Sequence, residues 1–117
     1  MVRRMIEKIV IDYLSKNLTN DVPVYMEHNL NAPSSYVIVE KTGSSEKNHI
    51  YNATITIQSY AESLYKAAVL NEEVKALMED IITESAISNC TLNSDYNYTD
   101  TSSKQYRYQA VYDLVHY

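Results

Sequence analysis

Spaced at about 100° per residue, Val2, Met5, Ile6, Ile9, Val10 and Tyr13 fall on one arc, and Arg3, Arg4, Glu7, Lys8 and Asp12 lie off it. The pattern predicts an amphipathic helix from residue 2 to about 18, ended by the polar stretch Asn17–Asp21 and closed off by Pro23. Val22–Met26 reads as a short strand that Pro23 confines to an edge or a strand start. After a turn region at Asn29–Ser35, Tyr36–Thr42 is a β-rich run that stops at Gly43, the only glycine. The polar stretch Gly43–His49 is expected to be a mobile loop. From residue 51 to 59 the alternation is clean, with Tyr51, Ala53, Ile55 and Ile57 on one side and Asn52, Thr54, Thr56 and Gln58 on the other.

The period then changes. Ser59-Tyr-Ala-Glu62 has the form of a capping box, which predicts that a second helix begins there. Leu64, Ala67, Leu70, Val74, Leu77, Met78, Ile81 and Ile82 share its apolar arc, and Glu62, Lys66, Glu72, Glu73, Glu79 and Asp80 face away. Asn71 interrupts that arc and is read as a rim position or a local break in preference to a polar contact that specifies a partner. The last third predicts a hairpin: Cys90, Leu92, Tyr96 and Tyr98 alternate, a loop spans Thr99–Gln105, and Tyr106, Tyr108, Ala110, Tyr112, Leu114 and His116 alternate again. Helix, three strands, helix, two strands is the order of a single α+β domain over residues 1–117, an antiparallel sheet with both helices on one face.

Composition narrows the chemistry. Ten Lys and Arg against fifteen Asp and Glu give a net charge of −5, which supplies no field to draw the chain onto nucleic acid or an anionic membrane. No run approaches the roughly 20 apolar residues of a membrane helix, and Glu7, Lys8 and Asp12 break up any signal-peptide core. One cysteine makes no internal disulfide, so a reducing, cytosolic origin is expected, and the four Asn-x-Thr sequons are chance products. His28, His49 and His116 sit at unrelated places, which speaks against zinc, and Cys90 has no neighbour to activate it and reads as a packed thiol. A single glycine builds no phosphate cradle. No catalytic, cofactor or metal residue is therefore assigned. All twelve aromatics are Tyr, which suits sheet surfaces that meet another subunit, although sheet preference or AT-rich coding yields the same count. The candidate docking residues are those of the two polar loops and the following strand: Ser44, Ser45, Glu46, Lys47, Asn48, Asp100, Ser102, Ser103, Lys104, Tyr106 and Tyr108.

The segments Ile6–Leu14, Val22–Met26, Tyr36–Gly43, Ile57–Tyr65 and Tyr106–Tyr112 together resemble the tail-completion, or tail-terminator, proteins of siphophages and prophages of Gram-positive bacteria. The likeness runs over nearly the whole chain and lies in texture and element order. It implies a structural, non-enzymatic virion subunit with no cofactor. Such a subunit forms a ring, typically a hexamer, that caps the head-proximal end of the tail tube and faces the head connector. The implied partners are copies of itself, the tail tube protein and the connector protein. The implied places are the host cytoplasm during assembly and then the virion tail, with neither membrane nor sequence-specific nucleic acid as a partner. DNA passes through such a ring, and an acidic channel wall would repel its phosphates. Another neck ring, or a small cytosolic domain with a Tyr-lined ligand cavity, would fit the same pattern.

Overall fold

Two amphipathic helices and one strongly alternating sheet leave a single economical arrangement, in which the helical stripes cover one side of the sheet. The computed structural model, which describes residues 5–117, has this arrangement. Helix α1 (Ile6–Asn17) leads through a 3-10 turn (Thr19–Asp21) to β1 (Val24–Tyr25), β2 (Tyr36–Lys47) and β3 (Ile50–Ala61). Helix α2 (Leu64–Glu79) and a second 3-10 turn (Ile81–Thr83) follow, then β4 (Ile87–Asn97) and β5 (Tyr106–His116). The strands lie in the order β1-β2-β3-β5-β4. The α+β class and the element order are those the sequence predicts; residues 2–4 of the expected first helix lie outside the described residues.

The core lies between the helices and one sheet face. Val10 and Leu14 of α1, Val74 and Met78 of α2, and Ile55, Ile57 and Ala110 of the sheet are fully buried. At about 25 cal/mol per Å² of apolar surface, each of the larger side chains contributes roughly 1.5–3 kcal/mol by leaving water. Tyr13 adds a polar tie inside this layer, donating from its hydroxyl to the Leu77 carbonyl at 2.7 Å.

Four details depart from the sequence reading. First, β1 pairs with β2 in parallel, Val24 with Val37 and Tyr25 with Ile38, so the sheet is mixed. The connection 26–35 is a crossover rather than a tight turn, which returns the chain in the same direction. Second, Gly43–His49 is not a mobile loop. β2 continues to Lys47, opposite Ile50, and only Asn48 and His49 turn. Both have positive φ, 54° and 65°, as a two-residue turn of the primed kind requires. A bulge between Lys41 and Gly43 takes up the change of register.

Third, α2 begins later than the Ser59 box predicts. β3 pairing with β5 runs on to Ala61 opposite Tyr106, so the ladder claims Ser59, and Ser63 caps instead by accepting from the Lys66 amide at 3.2 Å. Ser59 is buried and its hydroxyl has no partner among the described residues. Fourth, Asn71 is neither rim nor break. It is 1% exposed and donates across the layer to the Asp95 carboxylate of β4 at 2.7 Å. Lys75 reaches the other oxygen of Asp95 at 2.6 Å, so α2 is pinned over the β4–β5 side of the sheet.

The two serines are separable in solution. Ser63→Ala should lower stability by about 1 kcal/mol through loss of the cap, and Ser59→Ala should be neutral or stabilising because it removes an unpaired buried hydroxyl. Urea titration of both variants reads the difference, and the reverse order would place the helix start at the earlier serine. At the β2–β3 turn, His49→Gly should raise stability by about 0.5–1 kcal/mol in the same titration, since glycine takes a positive φ without a Cβ penalty.

Candidate functional site

The predicted docking residues fall into two groups. Ser44, Ser45, Glu46 and Lys47 are exposed along the distal half of β2, and Asn48 is in its turn. Asp100, Ser102, Ser103 and Lys104 form the β4–β5 loop, with Tyr106 and Tyr108 half-buried at the start of β5. The register places these groups at opposite ends of the sheet. Tyr51 opposite His116 marks one end and Ala61 opposite Tyr106 the other, about 34 Å apart at about 3.4 Å per residue. The structure therefore does not bring them together.

The β4–β5 end is held by local bonds. In the β4–β5 loop the Asp100 carboxylate accepts from the Ser102 hydroxyl at 2.7 Å and the Ser102 amide at 3.0 Å. The Ser102 hydroxyl foremost, then the Ser103 hydroxyl and amide and the Ser102 amide, hold the Asp100 carboxyl down at about 2. Asp100 and Gln105 exchange backbone bonds at 3.1 Å in both directions, and Lys104, with φ 56°, completes the turn.

The sequence reading missed a side-chain cluster on the sheet face turned away from the helices. Tyr36 and Tyr60 face each other across β2 and β3, with ring centroids 4.6 Å apart and planes within 6°. His28, from the crossover connection, meets the Tyr60 ring edge-on at 5.3 Å. On the other flank the Arg107 guanidinium lies 4.6 Å from the Tyr98 ring centroid and 5.8 Å from that of Tyr60. Arg107 donates through Nε to the Tyr98 carbonyl at 2.7 Å and through Nη1 to the Tyr60 hydroxyl at 3.2 Å. The Tyr60 hydroxyl donates in turn to Gln58 Oε1 at 2.8 Å, Gln58 Nε2 donates to Gln109 Oε1 at 2.9 Å, and Gln109 donates to the Tyr96 hydroxyl. This chain of amides and hydroxyls crosses β3, β5 and β4.

Burial of Tyr60 pushes its phenol above the usual tyrosine range despite the nearby guanidinium, so it stays a neutral donor at ordinary pH. Arg107 has no carboxylate partner among the described residues. Its charge is held by ring faces and neutral oxygens, an arrangement suited to positioning and contact rather than to proton transfer. Alternation orders residues within one strand only, so nothing in the sequence marked Tyr36, Tyr60, Tyr96 and Arg107 as sharing a face; the register does.

Elsewhere the reactive groups stay apart. Among the described residues, no three His, Cys, Asp or Glu side chains gather as metal ligands. Cys90 packs against the edge of the core, and burial pushes its thiol up to about 11. The acidic surplus is localised: from residue 62 to 84 the chain carries Glu62, Glu72, Glu73, Glu79, Asp80 and Glu84 against Lys66 and Lys75. No protein-family model matches this sequence, and no curated protein matches it.

Tyr60→Phe, which deletes the hydroxyl shared by Arg107 and Gln58, should cost about 1 kcal/mol in urea unfolding; an unchanged midpoint would mean the network contributes nothing. Cys90 should react with a thiol reagent at pH 7.5 on the order of a hundredfold more slowly than free cysteine, because so little of it is thiolate. Timed labelling of the folded protein checks this.

Proposed function

We propose that this chain is a ring-forming structural subunit of a phage or prophage tail, which caps the tail tube and joins it to the head connector. The observation that carries the reading is the two-ended sheet. A rigid two-residue hairpin presents Ser44–Asn48 at one end, and a loop fixed around Asp100 presents Ser102–Lys104 at the other. A subunit between tube and connector needs two such surfaces, facing opposite ways along a molecule 45 Å in its longest dimension. The resemblance to tail-terminator proteins supports the same reading, and the element order agrees with it. The open Tyr and Arg face adds the side chains that protein contacts favour.

In this reading the acidic outer side of α2 lines the channel, where it repels DNA phosphates and lets the genome pass without sticking. The deciding experiment is genetic. Particles from a deletion of the gene should carry tails of uncontrolled length or tails that fail to join heads in electron micrographs, and normal virions would reject the proposal. With Glu79→Lys, Asp80→Lys and Glu84→Lys combined, DNA ejection should slow; unchanged ejection would remove α2 from the channel wall.

A further inference from the structure

The sheet has two long free edges. β1 pairs with β2 at Val37 and Ile38 and takes up the outward amide of Val39, so among the described residues the outer side of β2 from Glu40 to Lys47 has no strand beside it. β4 is the other edge, paired only with β5. Exposed edges of this length template further strand pairing unless they are blocked. β4 carries no Lys, Arg or Pro in Ile87–Asn97 to block it.

The phase of each edge follows from its hydrogen bonds. Val37 donates outward to the Pro23 carbonyl at 3.0 Å, so Val39 and Lys41 also turn their backbone groups outward. Past the bulge this phase passes to Ser44 and Glu46, which sit opposite Ala53 and Tyr51. In β4, Tyr98 donates inward to the Arg107 carbonyl at 2.9 Å, so Asn97 and Asp95 face outward. Past the bulge between Leu92 and Ser94, Leu92 and Cys90 take over, opposite Tyr112 and Leu114.

The two edges therefore match. Free outward residues on β2 are 41, 44 and 46, and on β4 residues 95, 92 and 90 have the same spacing in the opposite chain direction. β2 and β4 are antiparallel to each other within one copy, through β3 and β5. All six side chains belong to the helix-covered face, so pairing them would keep the helices of both copies on one side of a continuous sheet. In that register Lys41, exposed and in no ion pair among the described residues, lies opposite the Asp95 carboxylate.

We propose that β4 of one copy pairs antiparallel with the outer edge of β2 of the next, Lys41 with Asp95, Ser44 with Leu92 and Glu46 with Cys90. The proposal rests on the ring reading and supplies its lateral contact. Each copy offers one edge of each kind, so the contact is head-to-tail and repeats until it closes. Backbone bonds provide the adhesion, and the matched bulges with the Lys41–Asp95 pair fix the register.

The test is a disulfide between Ser44→Cys and Leu92→Cys in a Cys90→Ser background. Within one copy these positions are separated by β3 and β5, about 14 Å at about 4.8 Å per strand, beyond the roughly 7 Å limit for a disulfide. Oxidation of the purified protein and of assembled tails should give a ladder of covalent species extending beyond two copies, and neither single cysteine variant should give one. No ladder in either sample, or a ladder that stops at two, overturns the pairing. If tails still assemble in that case the ring reading stands, since only the deletion phenotype bears on it. Lys41→Glu should weaken self-association about tenfold by light scattering with its circular dichroism unchanged; an undiminished assembly also overturns the register.

Discussion

Burial of one sheet face under both helices is the constraint on which the rest depends. Because β3 and β5 each bury alternate residues under α1 and α2, a slip of one position would turn Ile55, Ile57, Ala110 and Tyr112 out to solvent. That cost locks the central pair, and the central pair sets the phase of both neighbours. The direction in which each backbone group on the outer strands points is thereby decided in the core, several ångströms from the edges where it has its effect. Asn71 serves the same end from the helix side, since its bond to Asp95 fixes where α2 sits along β4.

Much of this was legible in the sequence wherever a period was long enough to be tested. The stripe of α1, the alternation of β3 and that of β5 each extend over many residues, and each appears where the pattern places it. The failures share a cause: at each, a local signal was overruled by a longer-range pairing. Ser59-x-x-Glu62 has the letters of a cap, but the ladder to β5 extends through Ala61 and the helix waits for Ser63. Gly43–His49 has the polar composition of a loop, yet the backbone of β2 goes on pairing and needs only Asn48 and His49 to reverse. The parallel pairing of β1 depends on which way a ten-residue connection returns, and periodicity says nothing about that.

The candidate site was less visible for a related reason. The loop residues could be named from polarity, but whether they converge is a matter of strand direction, and they stand at opposite ends. The Tyr36–Tyr60–Arg107 cluster draws on three strands that are remote in sequence, joined by His28 from a connection with no pattern of its own. Composition showed that tyrosine was abundant; only the register shows which rings stack. The arginine among them, with no carboxylate partner among the described residues, is positioned by ring faces and neutral oxygens.

The place of β5 between β3 and β4 also bears on how the protein is made. Strands that neighbour each other in the sheet are here separated by half the chain, so the loops closed on folding are long and their entropy is spent before the contacts form. While the ribosome is still synthesising the segment from Tyr106 onward, β4 has nothing to lie against, and the first half of the sheet lacks its fourth member. The β4 edge therefore forms only once the segment from Tyr106 onward is in place, whereas the β2 edge is complete with the local β2–β3 hairpin.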